Sequence, residues 1–343
     1  MINGHGDDGY LYNREIAGNF STNTWYGGPE PGLQQYLQQK ITAIDRYPDP
    51  AAEGLQKVIA SSYELEACQV LVTNGATEAI YLVAQAFSRQ SVTIVIPAFA
   101  EYEDACVIHG LNVQLLPWNE LTPETKISTS LAFICNPNNP TGDVLSVKTV
   151  EQILQRNQHC CFVIDEAYME FTNATVSLLR GMMKYSNCVL LRSLTKSFCI
   201  PGLRLGFVVA NPSFIQSLRR FKMPWSVNSL AIEAGYYIYR NRHRIALPLE
   251  QLLAETAAFQ QSLQKATGWN VAPTSTHYFL VETKNTITAA ALKQYLVLEH
   301  GLLIRDAANF RGLTPWHFRI ACRRPEHNQL LIKALEQCSQ TGI

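Results

Sequence analysis

The chain has no charge imbalance and no long apolar run, and each absence excludes a class of protein. Lysine plus arginine equals aspartate plus glutamate at 28 each, so the formal net charge is zero. A general binder of nucleic acid or of membrane surfaces would carry an excess of positive charge. No segment approaches the roughly 18 apolar residues of a membrane span, and the N-terminus is too polar for a signal peptide. We therefore expect no nucleic-acid partner and no membrane.

The chain also lacks a Cys-x-x-Cys pair. Its nine cysteines are an odd number, and most lie in apolar runs, as Cys135 and Cys161 do. This pattern indicates reduced, buried cysteines in a cytoplasmic protein rather than a disulfide framework or a metal site. We find no internal repeat and no low-complexity segment.

What is present is an alternation of short apolar runs with longer amphipathic ones. The runs 92–96, 113–116, 131–134, 161–164, 189–191 and 205–209 are predicted strands with both faces buried. The stretches 77–87, 147–155 and 213–221 are predicted helices between them. This rhythm predicts an α/β fold with a mostly parallel sheet flanked by helices.

The length of 343 residues fits two domains. We expect an N-terminal arm at 1–29 that packs with the small domain. A large domain at 30–240 and a small α+β domain at 241–343 complete the division. A helical tract from about 229 to 265, broken near Pro248, precedes the predicted small-domain strands at 278–281, 302–304 and 318–321.

Lys196 is the most informative candidate for chemistry. It ends the apolar run Val189-Leu190-Leu191 within Ser193-Leu194-Thr195-Lys196, and Arg204 follows eight residues later. Desolvation lowers the pKa of an amine and makes it a better nucleophile. Two hydroxyls and a fixed cation are what a phosphate needs. Taken alone, a lysine among Ser and Thr is typical of a surface loop. A reactive amine beside a phosphate site, in contrast, suggests pyridoxal 5′-phosphate (PLP) held as a Schiff base.

Three further segments carry the remaining parts of such a site. Asn139 lies in Asn136-Pro137-Asn138-Asn139-Pro140-Thr141-Gly142, Asp165 ends another apolar run, and Gly75 opens an amphipathic stretch at 73–78. In this order, with Arg46-Tyr47-Pro48-Asp49 before them and Arg319 after, they resemble the class I/II aminotransferases, which are fold-type I PLP enzymes. The resemblance covers most of the chain and implies a PLP cofactor and a homodimer.

The resemblance implies a role for each matching residue. Lys196 carries the cofactor, Asp165 keeps the ring nitrogen protonated, and Asn139 with Tyr168 bonds the phenolic oxygen of the ring. Tyr102 stacks on the ring, with Phe99 as a possible substitute. The residues implied around the cofactor phosphate are Gly75, Ala76 and Thr77 at a helix start, Ser193, Thr195, Arg204, and Tyr47 from the neighbouring subunit.

Within the family, local segments resemble the L-threonine-O-3-phosphate decarboxylases first and the histidinol-phosphate aminotransferases second. They include His5-Gly6, Phe20-Ser21-Thr22-Asn23 and Leu303-Ile304-Arg305. The resemblance implies that Arg319 holds a substrate carboxylate, and that Arg305, His5 and Asn23 surround a substrate phosphate. The predicted substrate is therefore a phosphorylated amino acid, a small-molecule partner.

Several alternatives stay open at this point. Tyr168 is the choice typical of an aminotransferase, and the sequence does not separate decarboxylation from transamination. Asp7 and Asp8 would repel a phosphate if they pointed inwards. Arg323 could contribute to anion binding as well, but we expect it to be a solvated cation near a helix. A non-catalytic DNA-binding regulator of this fold is disfavoured, since Lys196 is present and no basic stripe is.

Overall fold

The computed structural model describes residues 5–341, so the first four residues of the predicted arm lie outside the described residues. In chain order the strands are β1 (Gly18–Asn19), β2 (Val70–Thr73), β3 (Ser91–Ile96), β4 (Asn112–Pro117), β5 (Leu131–Cys135), β6 (Cys161–Asp165), β7 (Cys188–Ser193), β8 (Gly206–Val209), β9 (Asn270–Val271), β10 (Tyr278–Glu282), β11 (Leu302–Leu303), β12 (Arg305–Asp306) and β13 (His317–Ala321). The α-helices are α1 (Pro31–Gln39), α2 (Glu53–Ser62), α3 (Gly75–Ala86), α4 (Glu101–Ile108), α5 (Val147–Arg156), α6 (Pro212–Arg219), α7 (Ser229–Asn241), α8 (Leu249–Thr267), α9 (Ala289–Tyr295) and α10 (Pro325–Thr341).

A seven-stranded sheet in the order β2-β8-β7-β6-β5-β3-β4 forms the centre of the fold. Strand β8 runs antiparallel to β2 and β7, and every other pair is parallel. The predicted α/β fold with a mostly parallel, helix-flanked sheet is therefore confirmed. Because β5, β6 and β7 are parallel neighbours, their carboxyl ends meet at one edge, where ligands bind in such sheets.

Successive side chains of a strand point to opposite sides of the sheet, and here an apolar core covers each side. Leu71, Phe133 and Leu191 belong to one apolar core, whereas Val72, Ile134 and Leu190 belong to the other. Short polar side chains start the covering helices. Ser146, Asn211 and Asn228 each accept a hydrogen bond from a backbone N–H in the first turn of α5, α6 and α7 respectively.

Strand β4 differs from the prediction that both of its faces are buried. It lies at the edge of the sheet, where it pairs with β3 alone, and Leu115 is 42% exposed. An edge strand has a neighbour on one side, so an apolar run such as 113–116 does not by itself secure burial.

The C-terminal part contains a four-stranded antiparallel sheet in the order β12-β13-β10-β9, with α8, α9 and α10. The predicted helical tract ends at Asn241 and restarts at Leu249, next to Pro248. The arm joins this part through β1, which pairs in parallel with β11. Across residues 5–341, no helix is both long and apolar enough to cross a bilayer.

Candidate active site

Three predicted residues meet at the carboxyl edge of the sheet. Asn139 follows β5, Asp165 ends β6, and Lys196 follows β7. All three line one small cavity of about 140 Å³, together with Tyr168 and Arg204. The parallel order of the three strands brings these distant positions together, as the sequence predicts.

Lys196 has the environment of a reactive amine. Burial, with the nearby cations Arg204 and Arg319, lowers the pKa of Lys196 to about 8. A neutral amine is therefore accessible near physiological pH, which a nucleophile towards a carbonyl needs.

Asp165 is buried among neutral donors. Its Oδ2 accepts a hydrogen bond from the Tyr102 hydroxyl at 2.7 Å, and its Oδ1 accepts one from the Ala167 N–H at 2.9 Å. Burial raises the pKa of Asp165. Since neither donor is charged, a cationic ring nitrogen beside the carboxylate would stabilise its charged form.

The aromatic walls of this cavity are Tyr102, Phe99 and Tyr168. Tyr102 is fully buried and packs against Phe133 with ring centroids 5.0 Å apart and planes at 13°. Tyr168 meets Tyr278 edge-on, and burial raises the pKa of its hydroxyl. Whether Tyr102 or Phe99 stacks on the cofactor stays a prediction.

The predicted phosphate cradle lies at the start of α3. Gly75 has φ of +73°, and a Cβ there would lie 2.8 Å from Arg204 Nη2. Glycine adopts that conformation without strain, and the absence of a side chain leaves room for Arg204. Gly206 has a related role, because its Cβ would approach the Ala76 nitrogen to 2.8 Å. Free N–H groups at a helix start, beside a guanidinium, suit a phosphate.

Hydroxyls complete the cradle. The Ser193 and Thr195 hydroxyl oxygens lie 2.8 Å apart, and Thr77 lines the same cavity. Together, the site offers a carboxylate for a cationic ring nitrogen, a cradle for a phosphate and an amine between them. These residues fit PLP.

A larger cavity of about 560 Å³ adjoins this one, since Phe99, Asn139, Tyr168 and Lys196 line both. Its other walls include all the predicted substrate residues, namely His5, Asn23, Arg305 and Arg319. The structure thus brings together every predicted site residue except Tyr47.

Arg319 connects the two cavities. Its guanidinium donates to the Asn139 side-chain oxygen and, at 2.6 Å, to the Ser21 carbonyl. A guanidinium only donates, so the bond to Asn139 assigns the amide oxygen to the Arg319 side and the amide N–H groups to the other. Arg319 Nε has no hydrogen-bond partner within residues 5–341, and that buried donor can bind a substrate carboxylate.

Arg305 and His5 both line the larger cavity. Arg305 donates to Asn309 Oδ1 at 2.7 Å, and its guanidinium carbon lies 4.9 Å from the centre of the Phe310 ring. Burial and Arg319 lower the pKa of Arg305 to about 10. His5 Nε2 lies 3.1 Å from Glu101 Oε1, which orients the imidazole at the cavity wall.

Arg323 corrects an expectation. It is buried rather than solvated, with 9% exposure, and it lines the larger cavity. Its guanidinium donates to the carbonyls of Thr22 and Thr24, which replace water as acceptors. The sequence around Arg323 predicts a solvated cation, because its acceptors lie at the other end of the chain.

The two acidic residues near the N-terminus differ from each other. Asp8 pairs with Lys293. Asp7 lines the larger cavity and accepts a hydrogen bond of 2.6 Å from Asn19 Nδ2.

Tyr47 lies away from both cavities. It is 85% exposed, and its ring centroid lies 5.2 Å from that of Trp225, so within one chain it takes no part in the site.

Two residues beside the cavity were not predicted from the sequence. Glu101 holds His5, and His277 lies 3.1 Å from the Asn23 carbonyl through its Nε2. The signal for His277 is weak, because a histidine before an apolar strand is usually a core residue. The signal for Glu101 is its position between the aromatic residues Phe99 and Tyr102, which were themselves predicted to lie at the site.

Comparison with known proteins agrees with this geometry. A family model described as aminotransferase class I and II matches residues 19–335. A threonine-phosphate decarboxylase of Salmonella typhimurium is 30% identical and covers 94% of this chain and 91% of its own length. A histidinol-phosphate aminotransferase of Mannheimia succiniciproducens is also 30% identical, over 90% of this chain and 86% of that protein.

Among solved structures, an L-threonine-O-3-phosphate decarboxylase from Porphyromonas gingivalis superposes with a TM-score of 0.91 at 38% identity. The match covers 94% of this chain and 99% of that one.

Proposed function

Since the chain belongs to the class I and II aminotransferase family and is a PLP-dependent enzyme, we propose that it decarboxylates O-phospho-L-threonine. The proposed reaction breaks the bond between Cα and the carboxylate, releases CO₂ and adds a proton at Cα. When bound, PLP withdraws the electron pair that the broken bond leaves at Cα.

One observation carries the proposed substrate. Arg305, Arg319 and Arg323 are each at least nine-tenths buried around one cavity, and none forms a salt bridge within residues 5–341. Asp7 is the one acidic residue among the described residues that line this cavity, and a single carboxylate does not balance three buried cations, which is costly. A substrate with both a carboxylate and a phosphate would supply the missing negative charge.

The residues divide the work. Arg319 would bind the carboxylate and thereby help to set the orientation of the bond to Cα that breaks. Arg305, His5 and Asn23 line the same cavity, and they would bind the phosphate and help to fix that orientation. Lys196 Nζ, with its lowered pKa, delivers the proton to Cα.

A second candidate is transamination of histidinol phosphate. Tyr168 favours it, since this is the choice typical of an aminotransferase, and a relative of similar identity carries that name. The two reactions differ in geometry at Cα, where a shift of roughly 1 Å can change a rate about 100-fold.

Two parallel assays decide between them. The purified PLP-loaded enzyme is incubated with O-phospho-L-threonine and CO₂ release is measured. It is also incubated with histidinol phosphate and 2-oxoglutarate, and glutamate is measured. We expect CO₂ from the first and little glutamate from the second; the reverse result makes the enzyme an aminotransferase.

The proposed active form is a homodimer. Tyr47 is exposed, and near it in sequence Ile44 is 65% exposed, while Met223 is 70% exposed next to Trp225, the residue on which Tyr47 packs. Apolar side chains in such positions suit a subunit interface. Tyr47 would then reach the partner's cofactor phosphate.

Subunit mixing tests this arrangement. A Tyr47→Ala chain mixed with a Lys196→Ala chain should regain part of the activity, because one hybrid site has both residues. Full inactivity of a verified mixed dimer would mean that each site is complete within one chain.

The proposed compartment is the cytoplasm. No disulfide joins any of the nine cysteines, which all lie within residues 5–341. Six of them are buried, namely Cys106, Cys135, Cys160, Cys188, Cys322 and Cys338. Thiols persist in a reducing compartment. Thiol titration of the unfolded enzyme from its native source should therefore count nine.

A further inference from the structure

The segment 20–25 of the arm, here called the strap, is attached to the C-terminal part by every one of its first five carbonyls. The donors are Ala321 N–H to Phe20 (3.0 Å), Arg319 Nη2 to Ser21 (2.6 Å), Arg323 Nη2 to Thr22 (2.9 Å), His277 Nε2 to Asn23 (3.1 Å) and Arg323 Nη1 to Thr24 (3.2 Å). Such a run of satisfied carbonyls outside regular structure holds a backbone in one conformation.

Arg323 makes more of these contacts than any other side chain of the described residues. Besides the two carbonyls, its Nη2 donates to Thr22 Oγ1 at 2.7 Å. Burial lowers the pKa of Arg323 to about 10, which leaves it charged at neutral pH. The planar fork of a guanidinium can bind two carbonyls two residues apart at once, whereas an ammonium is a single point of charge.

The residue between the two carbonyls bound by Arg323 is Asn23. Neither polar atom of its side chain has a hydrogen-bond partner within residues 5–341, although the amide lies near the Tyr168 hydroxyl. Asn23 is 2% exposed and lines the larger cavity. A buried amide whose nearest polar neighbour is a single hydroxyl keeps unused donors and acceptors, which is costly, and a ligand in the cavity that Asn23 lines would supply partners for them.

The other end of the strap reaches the catalytic lysine. The Trp25 N–H donates to the Lys196 carbonyl at 3.0 Å. The strap thus runs from the carboxylate-binding Arg319 at Ser21, past Asn23, to Lys196.

From these contacts we propose that Arg323 is a positioning residue, which holds the strap so that the Asn23 amide meets the substrate phosphate. The proposal rests on the proposed function for the identity of the substrate. Both Nη groups of Arg323 are bound to the strap, so its effect on the substrate passes through Thr22 and Thr24 to Asn23. The third donor of Arg323, Nε, has no hydrogen-bond partner within residues 5–341, so the variants below are chosen to separate this positioning role from direct binding of the substrate.

Three variants of the PLP-loaded enzyme test this. Arg323→Lys keeps the charge but loses the fork, and Thr22→Val keeps the shape but loses one acceptor. Arg220→Lys makes the same chemical change at an exposed arginine of the large domain. We expect Arg323→Lys to raise KM for O-phospho-L-threonine about tenfold, with kcat within about threefold, because uniform binding is lost. Thr22→Val should raise KM about threefold, and Arg220→Lys should change neither constant.

A second measurement follows the strap directly. Hydrogen exchange, read by mass spectrometry, should become faster at the Phe20 and Trp25 amides in Arg323→Lys, while strands β5 and β6 keep their protection. Cofactor loading, read from its absorbance, should match the wild type in all three variants.

The outcomes separate the possibilities. A higher KM without faster exchange in the strap would mean that Arg323 binds substrate itself, and it would overturn the proposal. Unchanged KM and exchange would overturn it as well, as would loss of cofactor or faster exchange in β5 and β6, which indicate a role in folding. If the wild type releases no CO₂ from O-phospho-L-threonine, the proposed function fails, and exchange in the strap alone decides the role of Arg323.

Discussion

Gly75, Asp165 and Lys196 lie on or directly beside elements of the seven-stranded sheet, whereas His5 and Asn23 come from one end of the chain and Arg319 from the other. The proposed cofactor end of the site is positioned by strand and helix termini. The proposed substrate end is positioned by side chains that bind carbonyls of a segment without regular structure. The cofactor end can supply the chemistry that a whole family shares, and the substrate end can select among substrates. Changes at the cofactor end should therefore affect all substrates alike.

The largest expected effect is at Lys196. Lys196→Ala removes the amine that attaches the cofactor and moves the proton, so turnover of every substrate should fall by about 10⁴-fold. Borohydride reduction of the wild type, followed by peptide mapping, should couple the cofactor to Lys196. Coupling to another lysine would contradict the assignment.

Asp165→Asn should come next, with a loss of at least about 100-fold, because a charge-assisted contact is replaced by a neutral one. The loss should be the same for phosphorylated and unphosphorylated substrates. Steady-state rates on both check this, and activity within threefold of the wild type would remove Asp165 from the site.

Arg305→Ala should sharpen the contrast between the two ends. We expect kcat/KM to fall about 30-fold for O-phospho-L-threonine, the lower part of the range for a desolvated ion pair, with little loss for L-threonine. Inorganic phosphate should compete with the substrate in the wild type and much less in the variant. Equal losses for both substrates would show that Arg305 supports the fold instead.

The smallest effect tests whether the two ends are independent. Arg319 is one of the cations that lower the pKa of Lys196 to about 8. In the cofactor-free enzyme, covalent capture of PLP requires the neutral amine, so its rate should rise about tenfold per pH unit below pH 8 and level off above it.

Arg319→Gln removes that cation, so the midpoint of this profile should move to higher pH. Stopped-flow absorbance measures it, and Arg220→Gln serves as the control. An unmoved midpoint would mean that the substrate end has no electrostatic influence on the cofactor end.

The two ends of the site also differ in how well the sequence predicted them. The meeting of Lys196 and Asp165 at one edge of the sheet was predictable, because buried strands are recognised locally and parallel strands place their carboxyl ends at the same edge. Arg323 was misjudged, because its acceptors at Thr22 and Thr24 lie 301 and 299 residues away in the chain. Strand β4 was misjudged for a related reason, since edge position is a property of the sheet and not of the run 113–116. Local pattern predicts elements, but it does not predict which distant carbonyls a side chain will find.

The pairing of β1 with β11 has a consequence for biosynthesis. Gly18 is synthesised before its partner Leu302, and the sheet strands β2 to β8 are synthesised between them. At about 5–20 residues per second, the arm waits roughly 15–60 s for that partner. The nascent chain can assemble its cofactor end while the arm is still undocked, so the ability to select a substrate is the last property that the newborn enzyme acquires.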